Sequence, residues 1–283
     1  MLTTLSLRIY FLMFFSFIST YAIAETNTLK VHNLTHQPHM DAEDDWNEIP
    51  YSSFTLKSIS KGIKKTKVIN IKAATYKNKV YFFANWPDEK QNSEHKPFIW
   101  NKSTSRYVRG PQREDRFALQ FEMEGDYTSN WLEAKYFKAD MWHWKSSRTA
   151  PANLIHDKYT IISDTKLTRS REIKTSKNKS IYIQRISDKG NSIYTSLRYG
   201  IYKGDKLPKY VINKHLSGSI IDVNAYSKWI KGKWYLEINR KLNTNHNDDV
   251  AFIKDKKVKF GIAVFNASPK EEHFISETLS IVF

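Results

Sequence analysis

Hydrophobic and polar positions alternate with a period of two along most of this chain, and no long helical period interrupts them. Val68, Asn70 and Lys72 alternate against Ile69, Ile71 and Ala73. After the polar pair Asn78-Lys79 comes Val80-Tyr81-Phe82-Phe83-Ala84-Asn85-Trp86, and the two runs together predict a hairpin. Arg116-Phe117-Ala118-Leu119-Gln120-Phe121 predicts a further strand, and residues 233–240 another, with Trp234, Leu236 and Ile238 facing one side. Residues 257–266 and 278–283 read as the closing strands. Short strands separated by polar turns predict an all-β, antiparallel β-sandwich with the strand near 233–240 central. Residues 146–195 are rich in lysine and serine, with a loop tip at 175–180, and read as a peripheral insertion between core strands. No repeat or linker divides the chain.

The first residues predict processing instead of fold. Arg8 precedes the apolar run Ile9-Tyr10-Phe11-Leu12-Met13-Phe14-Phe15-Ser16-Phe17-Ile18, too short to span a bilayer comfortably. Ala22-Ile23-Ala24 then supplies the small-x-small pattern of a signal-peptidase site. Residues 1–24 are therefore expected to leave as a signal peptide, and residues 25–283 to form one exported, periplasmic domain. The chain has no cysteine, which excludes disulfides, thiolate metal sites and covalently attached c-type haem. Its formal net charge of +16 suits acidic partners or anionic envelope polymers. Export argues against nucleic acid, and a membrane surface is expected to be touched only peripherally.

Against this background one segment stands out, Met141-Trp142-His143-Trp144-Lys145, together with Glu272-His273-Phe274-Ile275-Ser276 far downstream. Two tryptophans bracket a histidine, and a second histidine follows the apolar run Phe260-Gly261-Ile262-Ala263-Val264-Phe265. A flat, apolar, metal-bearing ligand held from two sides fits that layout, and haem is the candidate. Met141 offers a sulfur as an alternative axial donor to His143. Lys145, Arg148 and Arg240 are the candidate partners of the haem carboxylates. On a strand, Trp142 and Trp144 point away from the His143 face. No nucleophile elbow, H-E-x-x-H motif or phosphate-binding loop is present, so a hydrolase has no named catalytic residue.

Several blocks, in order along the chain, resemble the haem-binding domain of ethylbenzene dehydrogenase gamma subunits, of related DMSO-reductase-type complexes and of certain periplasmic cytochromes. They are Met40-Asp41-Ala42-Glu43-Asp44-Asp45-Trp46, Val80-Tyr81-Phe82-Phe83-Ala84-Asn85-Trp86-Pro87-Asp88, Gly110 to Leu119, Asp140-Met141-Trp142-His143-Trp144-Lys145, Gly232 to Leu242, and Phe260 to Asn266 with His273-Phe274-Ile275-Ser276. The resemblance implies a β-sandwich similar to carbohydrate-binding modules that holds one non-covalent haem b. It also implies single-electron transfer beside a redox partner, such as a molybdenum enzyme subunit or a cytochrome, without catalysis of its own. The ethylbenzene dehydrogenase branch ligates haem with methionine and lysine. No lysine lies between His273 and the end of this chain, so His143 with His273 is the expected pair, or Met141 with His273. The rival expectation is a haem-free sandwich that binds carbohydrate or envelope polymer through Trp86, Trp100 and Trp131.

Overall fold

The computed structural model describes residues 27–39, 43–60, 62, 64–175, 178–267 and 272–283. The expected signal peptide and its cleavage site, the opening Met40-Asp41-Ala42, and part of the 175–180 loop tip lie outside the described residues.

Nineteen strands are described: β1 (Thr28–Asn33), β2 (Ser52–Ser58), β3 (Thr66–Tyr76), β4 (Lys79–Pro87), β5 (Phe98–Asn101), β6 (Arg106–Arg109), β7 (Arg116–Gly125), β8 (Tyr136–Lys145), β9 (His156–Ser163), β10 (Arg171–Lys174), β11 (Ser180–Ser187), β12 (Tyr194–Ser196), β13 (Lys206–Leu207), β14 (Tyr210–Ile212), β15 (Asn224–Ile230), β16 (Lys233–Lys241), β17 (Lys257–Asn266), β18 (Glu272–Ile275) and β19 (Leu279–Val282). Four short 3-10 turns are the helical content among the described residues, and no helix among them is long and apolar enough to cross a membrane.

One 14-stranded sheet carries the molecule, in the order β10-β11-β9-β8-β7-β17-β18-β2-β3-β4-β16-β15. It folds back on itself because two long strands change partner midway. β17 pairs with β19 through 257–260 and with β18 through 263–266. β3 pairs with β2 in its first half and with β1 through 73–75. Since β1 also pairs with β19, these strands close a ring, and the sheet becomes a barrel-like sandwich. The two contacts of β1 are parallel; the remaining pairings are antiparallel. Tight turns connect the long hairpins. Lys231 (φ 47°) and Gly232 (φ 81°) both take positive φ between β15 and β16, the geometry of a two-residue turn that matches strand twist.

Alternation along each strand builds the core. From one layer come Phe117, Phe121, Trp142, Trp144 and Phe260; from the other Phe82, Trp86, Trp234, Leu236 and Ile238, all buried. Trp86 stacks on Phe117 at 5.3 Å, Trp144 meets Trp234 edge-on at 4.9 Å, and Phe82 meets Trp142 at 5.8 Å. The strand at 233–241 is next to the edge strand β15, not central as its clean alternation suggested. Both its faces are covered, one by the opposite layer and one by Trp46, whose indole donates to Glu237 at 2.7 Å. Residues 146–195 extend one edge of the sheet as β9, β11 and β10, and β9 lies along β8 through eight paired positions from His143 to Tyr136.

Trp144→Ala should destabilise the protein by about 3–5 kcal/mol, because a fully buried ring between the layers leaves a cavity that cannot collapse. Urea unfolding followed by intrinsic fluorescence checks this; a loss under about 1 kcal/mol would mean the layers are not held by this packing.

Candidate functional site

Successive side chains of a strand point to opposite faces. On β8 this sends Trp142 and Trp144 into the core and leaves Met141, His143 and Lys145 on the other face. That face is buried as well: Met141 is 7 %, His143 8 % and Lys145 2 % exposed. Opposite His143 stand Ala118 of β7 and His156 of β9. Ala118 opposes Ala263 of β17, which opposes Ile275 of β18. One row along the sheet run Lys145, Arg116, Phe265 and His273. The structure thus brings His143 and His273 to one face, three strands apart, over a floor of two alanines.

The ring of Phe265 lies between them. Its centre is 5.7 Å from that of His143 and 4.0 Å from that of His273, and both pairs are stacked. The Arg116 guanidinium sits 4.1 Å from the same phenyl ring. His143 Nδ1 lies 2.9 Å from Lys158 Nζ, while its Nε2 is buried with no hydrogen-bond partner among the described residues. Met141 shares the face, and the Thr160 hydroxyl donates to its sulfur at 3.9 Å.

The three cations expected to meet carboxylates are placed differently from one another. Lys145 Nζ contacts His156 Nδ1 and the Tyr194 hydroxyl at 3.0 Å. Arg148 pairs with the buried Glu114, whose other oxygen accepts from the Ser147 backbone N–H. Both stand beside the face, already engaged. Arg240 does not reach it. Its side chain is fully buried between the layers, where it donates to Asp140 at 2.8 Å and lies 4.8 Å from the Trp142 ring centre. Residue alternation on β16 sends it inward with Ile238, which excludes the role expected for it at a pocket mouth.

Lys158 is the residue sequence reasoning missed. It lies in the segment read as peripheral, yet β9 pairs it with Met141 and aims it at His143. The alternation of His156 and Lys158 about the buried Asp157 was the available signal.

Burial and crowding of like charges favour the neutral forms of these groups. Burial, then Lys158, Lys145 and Arg116, hold His143 well below the usual imidazole range. Burial, then Arg116 and Arg185, push His273 down to about 4. Burial, then Lys145 and Lys158, lower His156 to about 2. Lys158 falls to about 7, chiefly by burial and then by Arg185 and Arg116. Neutral imidazole and amine nitrogens are the forms that ligate metals. The donor chemistry of the face therefore fits a haem iron, with Phe265 as the group that must turn aside for His143 and His273 to reach one metal.

Of the tryptophans expected to bind carbohydrate, Trp86 is fully buried on Phe117 and presents no face. Trp131 is half-buried, with its indole donating to Gln120. Trp100 belongs to an aromatic group with Tyr107 and the exposed Tyr202 at 4.9 and 5.2 Å.

Comparison with known proteins gives a family. The sequence profile described as ethylbenzene dehydrogenase matches residues 43–274, most of the chain. No curated protein matches the chain. Among solved structures it is similar to a family 9 carbohydrate-binding module from Caldicellulosiruptor kristjanssonii in complex with glucose, at 12 % identity and a TM-score of 0.40 over 90 % of this chain and 94 % of that one. It is also similar to a putative carbohydrate-binding protein from Bacteroides uniformis, at 9 % identity and a TM-score of 0.42 over 90 % of each chain.

The imidazoles supply a pH test. Because the folded His273 binds fewer protons than the unfolded residue between about 4 and 6.5, its burial contributes nothing above that window and costs stability as pH falls through it. In a histidine NMR titration the resonances of His143, His156 and His273 should remain at neutral-form positions down to pH ~5. Titration of His143 near pH 6.5 would contradict the buried, cation-lined environment.

Proposed function

This chain belongs to the ethylbenzene dehydrogenase family, and from that membership and the geometry of the β8 face we propose that it is an exported, periplasmic b-type haem protein that passes single electrons. The observation that carries the reading is the buried His143 Nε2, left without a partner while the other ring nitrogen is held by Lys158. When Lys158 is neutral it can accept the Nδ1 proton of His143, which leaves the lone pair on the buried Nε2 for a metal. His273 is the proposed second axial donor, and Met141 the alternative to His143. Haem, when bound, supplies the one-electron couple that no side chain here provides.

The chain's own residues supply the rest. Phe265 gives an apolar wall, and Ala118 and Ala263 keep the floor low. Arg116 brings positive charge to the face, which suits a propionate, and Lys145 and Arg148 would reach one only by leaving His156 and Glu114. If His143 and His273 both held the iron, no position would be left open for substrate, which would favour electron transfer over catalysis. The net positive charge suits docking to an acidic redox partner, such as a molybdenum enzyme subunit or a cytochrome.

The test is optical. Mature protein isolated from the periplasm, or supplied with hemin, should show a six-coordinate low-spin spectrum in both redox states. His143→Ala and His273→Ala should each abolish it, whereas His246→Ala, at an exposed position, should not. Lys158→Met should weaken haem binding about 10–100-fold by releasing the His143 ring. Absence of a Soret band after hemin titration would remove the haem reading, and the Trp100 aromatic group would then be the place to look for carbohydrate binding.

A further inference from the structure

On the core side of β8, next to Trp142, four aspartate side chains gather around one guanidinium. Asp140 comes from β8, Asp157 from β9, Asp188 from the position just after β11 and Asp249 from the loop before β17. One oxygen from each of Asp140, Asp157 and Asp249 lies within 4.8 Å of the others. Asp188 joins them through Asp157, whose carboxyl its own reaches. Arg240 is the cation present, 2.8 Å from Asp140 and 3.5 Å from Asp249.

Proximity of acids alone would mean little, and the bonding pattern is the more telling observation. In Asp140, Oδ2 accepts from Arg240 and from the Val250 backbone N–H at 3.0 Å, while Oδ1 is buried and meets no N–H or hydroxyl donor among the described residues, and the carboxyl lies against that of Asp157. In Asp249, Oδ2 accepts from Thr244, while Oδ1 makes no hydrogen bond. Asp157 leaves Oδ2 unbonded. Asp188, only 4 % exposed, meets no N–H or hydroxyl donor among the described residues with either oxygen, and its carboxyl faces that of Asp157. Asp248, the next acid along, is different: Ser219 and the Lys189 backbone N–H satisfy it. Asp140 is thus held by one oxygen and leaves the other without a donor, while Asp249 is held through Oδ2 and has Arg240 at 3.5 Å from Oδ1; fixing a carboxylate by one oxygen is how surrounding groups orient a ligand toward a metal. Buried polar atoms without partners are rare because each costs its full desolvation.

We propose that Asp140, Asp157, Asp188 and Asp249 bind a calcium ion in the interior of the sandwich. The donors are all oxygens, which selects a hard cation, and calcium takes six to eight oxygens at about 2.3–2.6 Å. Two oxygens on one such ion are separated by at most about 5 Å, so the three clustered oxygens already lie within the span of a common ion. The ion cross-links β8, β9, the β11 end and the loop that carries Asp249 to Val250. It also fixes the strand from which His143 projects on the other face.

The experiment is thermal unfolding of the mature protein after removal of metal by EDTA, then with CaCl2 or MgCl2 added, alongside calorimetric titration with Ca2+. One calcium should bind per chain, raising the midpoint by about 5–10 °C at a hundredfold excess over the dissociation constant. Magnesium, which demands a tighter octahedron, should give a smaller shift. Asp157→Asn and Asp188→Asn should each remove the calcium response without lowering the metal-free midpoint, since each also removes an unbalanced charge. His246→Ala should retain the response. No calcium binding by the wild-type protein, or an equal response to both ions, overturns the proposal. So does a response that survives both Asp variants and disappears in His246→Ala, because the ion would then sit in the outer group Asp222, His246 and Asp249. None of these readouts depends on haem.

Discussion

The two-residue alternation of β8 is the constraint on which the rest of the molecule depends. One strand supplies Trp142 and Trp144 to the core and Met141, His143 and Lys145 to the other face, and both faces are buried. A slip of one residue would expel two tryptophans and bury a histidine and a lysine among aromatic rings. The packing of Trp144 on Trp86 and Trp234 therefore sets the position of His143 as firmly as any contact that His143 makes itself.

The same strand also ties the two layers of the sandwich together by charge. Asp140 on β8 and Arg240 on β16 meet across the interior, and Arg240 lies over the rings of Trp142 and Phe252. A buried pair of this kind adds little net stability, because desolvation of both ions offsets their attraction, but it disfavours arrangements in which either charge is left alone. The guanidinium thus specifies how the layers align, while the aromatic contacts supply most of the cohesion.

Much of this was legible in the sequence, and the exceptions have physical causes. Strand periodicity located β3, β4, β7, β16, β17 and β19, because half-buried strands write their two environments directly into alternate residues. Periodicity says nothing about lateral order, so the strand at 233–241 looked central although only one strand lies beyond it. Lysine and serine content marked residues 146–195 as a peripheral insertion, yet Lys158 is buried because β9 faces His143. Arg240 and Trp86 were assigned to surfaces by residue type alone, and register carried both inside. His143 and His273 were singled out by residue type, and the pairing of β8, β7, β17 and β18 brings them to one face. Phe265 between them was not recognisable, because that contact depends on the pairing of β17 with β18.

The partner changes of β17 and β3 close only the middle of the sheet, and two strands remain at its margins, β10 and β15. An open margin exposes unpaired backbone N–H and C=O groups to any second extended chain. On β10 the exposed positions are Arg171, Glu172 and Lys174, in a strand of four residues. Shortness and charge together make it a poor template for strand addition. β15 is longer and more apolar, but Leu154 bridges to its first residue and shields that end. The β10 margin is thus blunted by length and charge, whereas β15 is covered only where Leu154 reaches it, so any strand added to this molecule would add there.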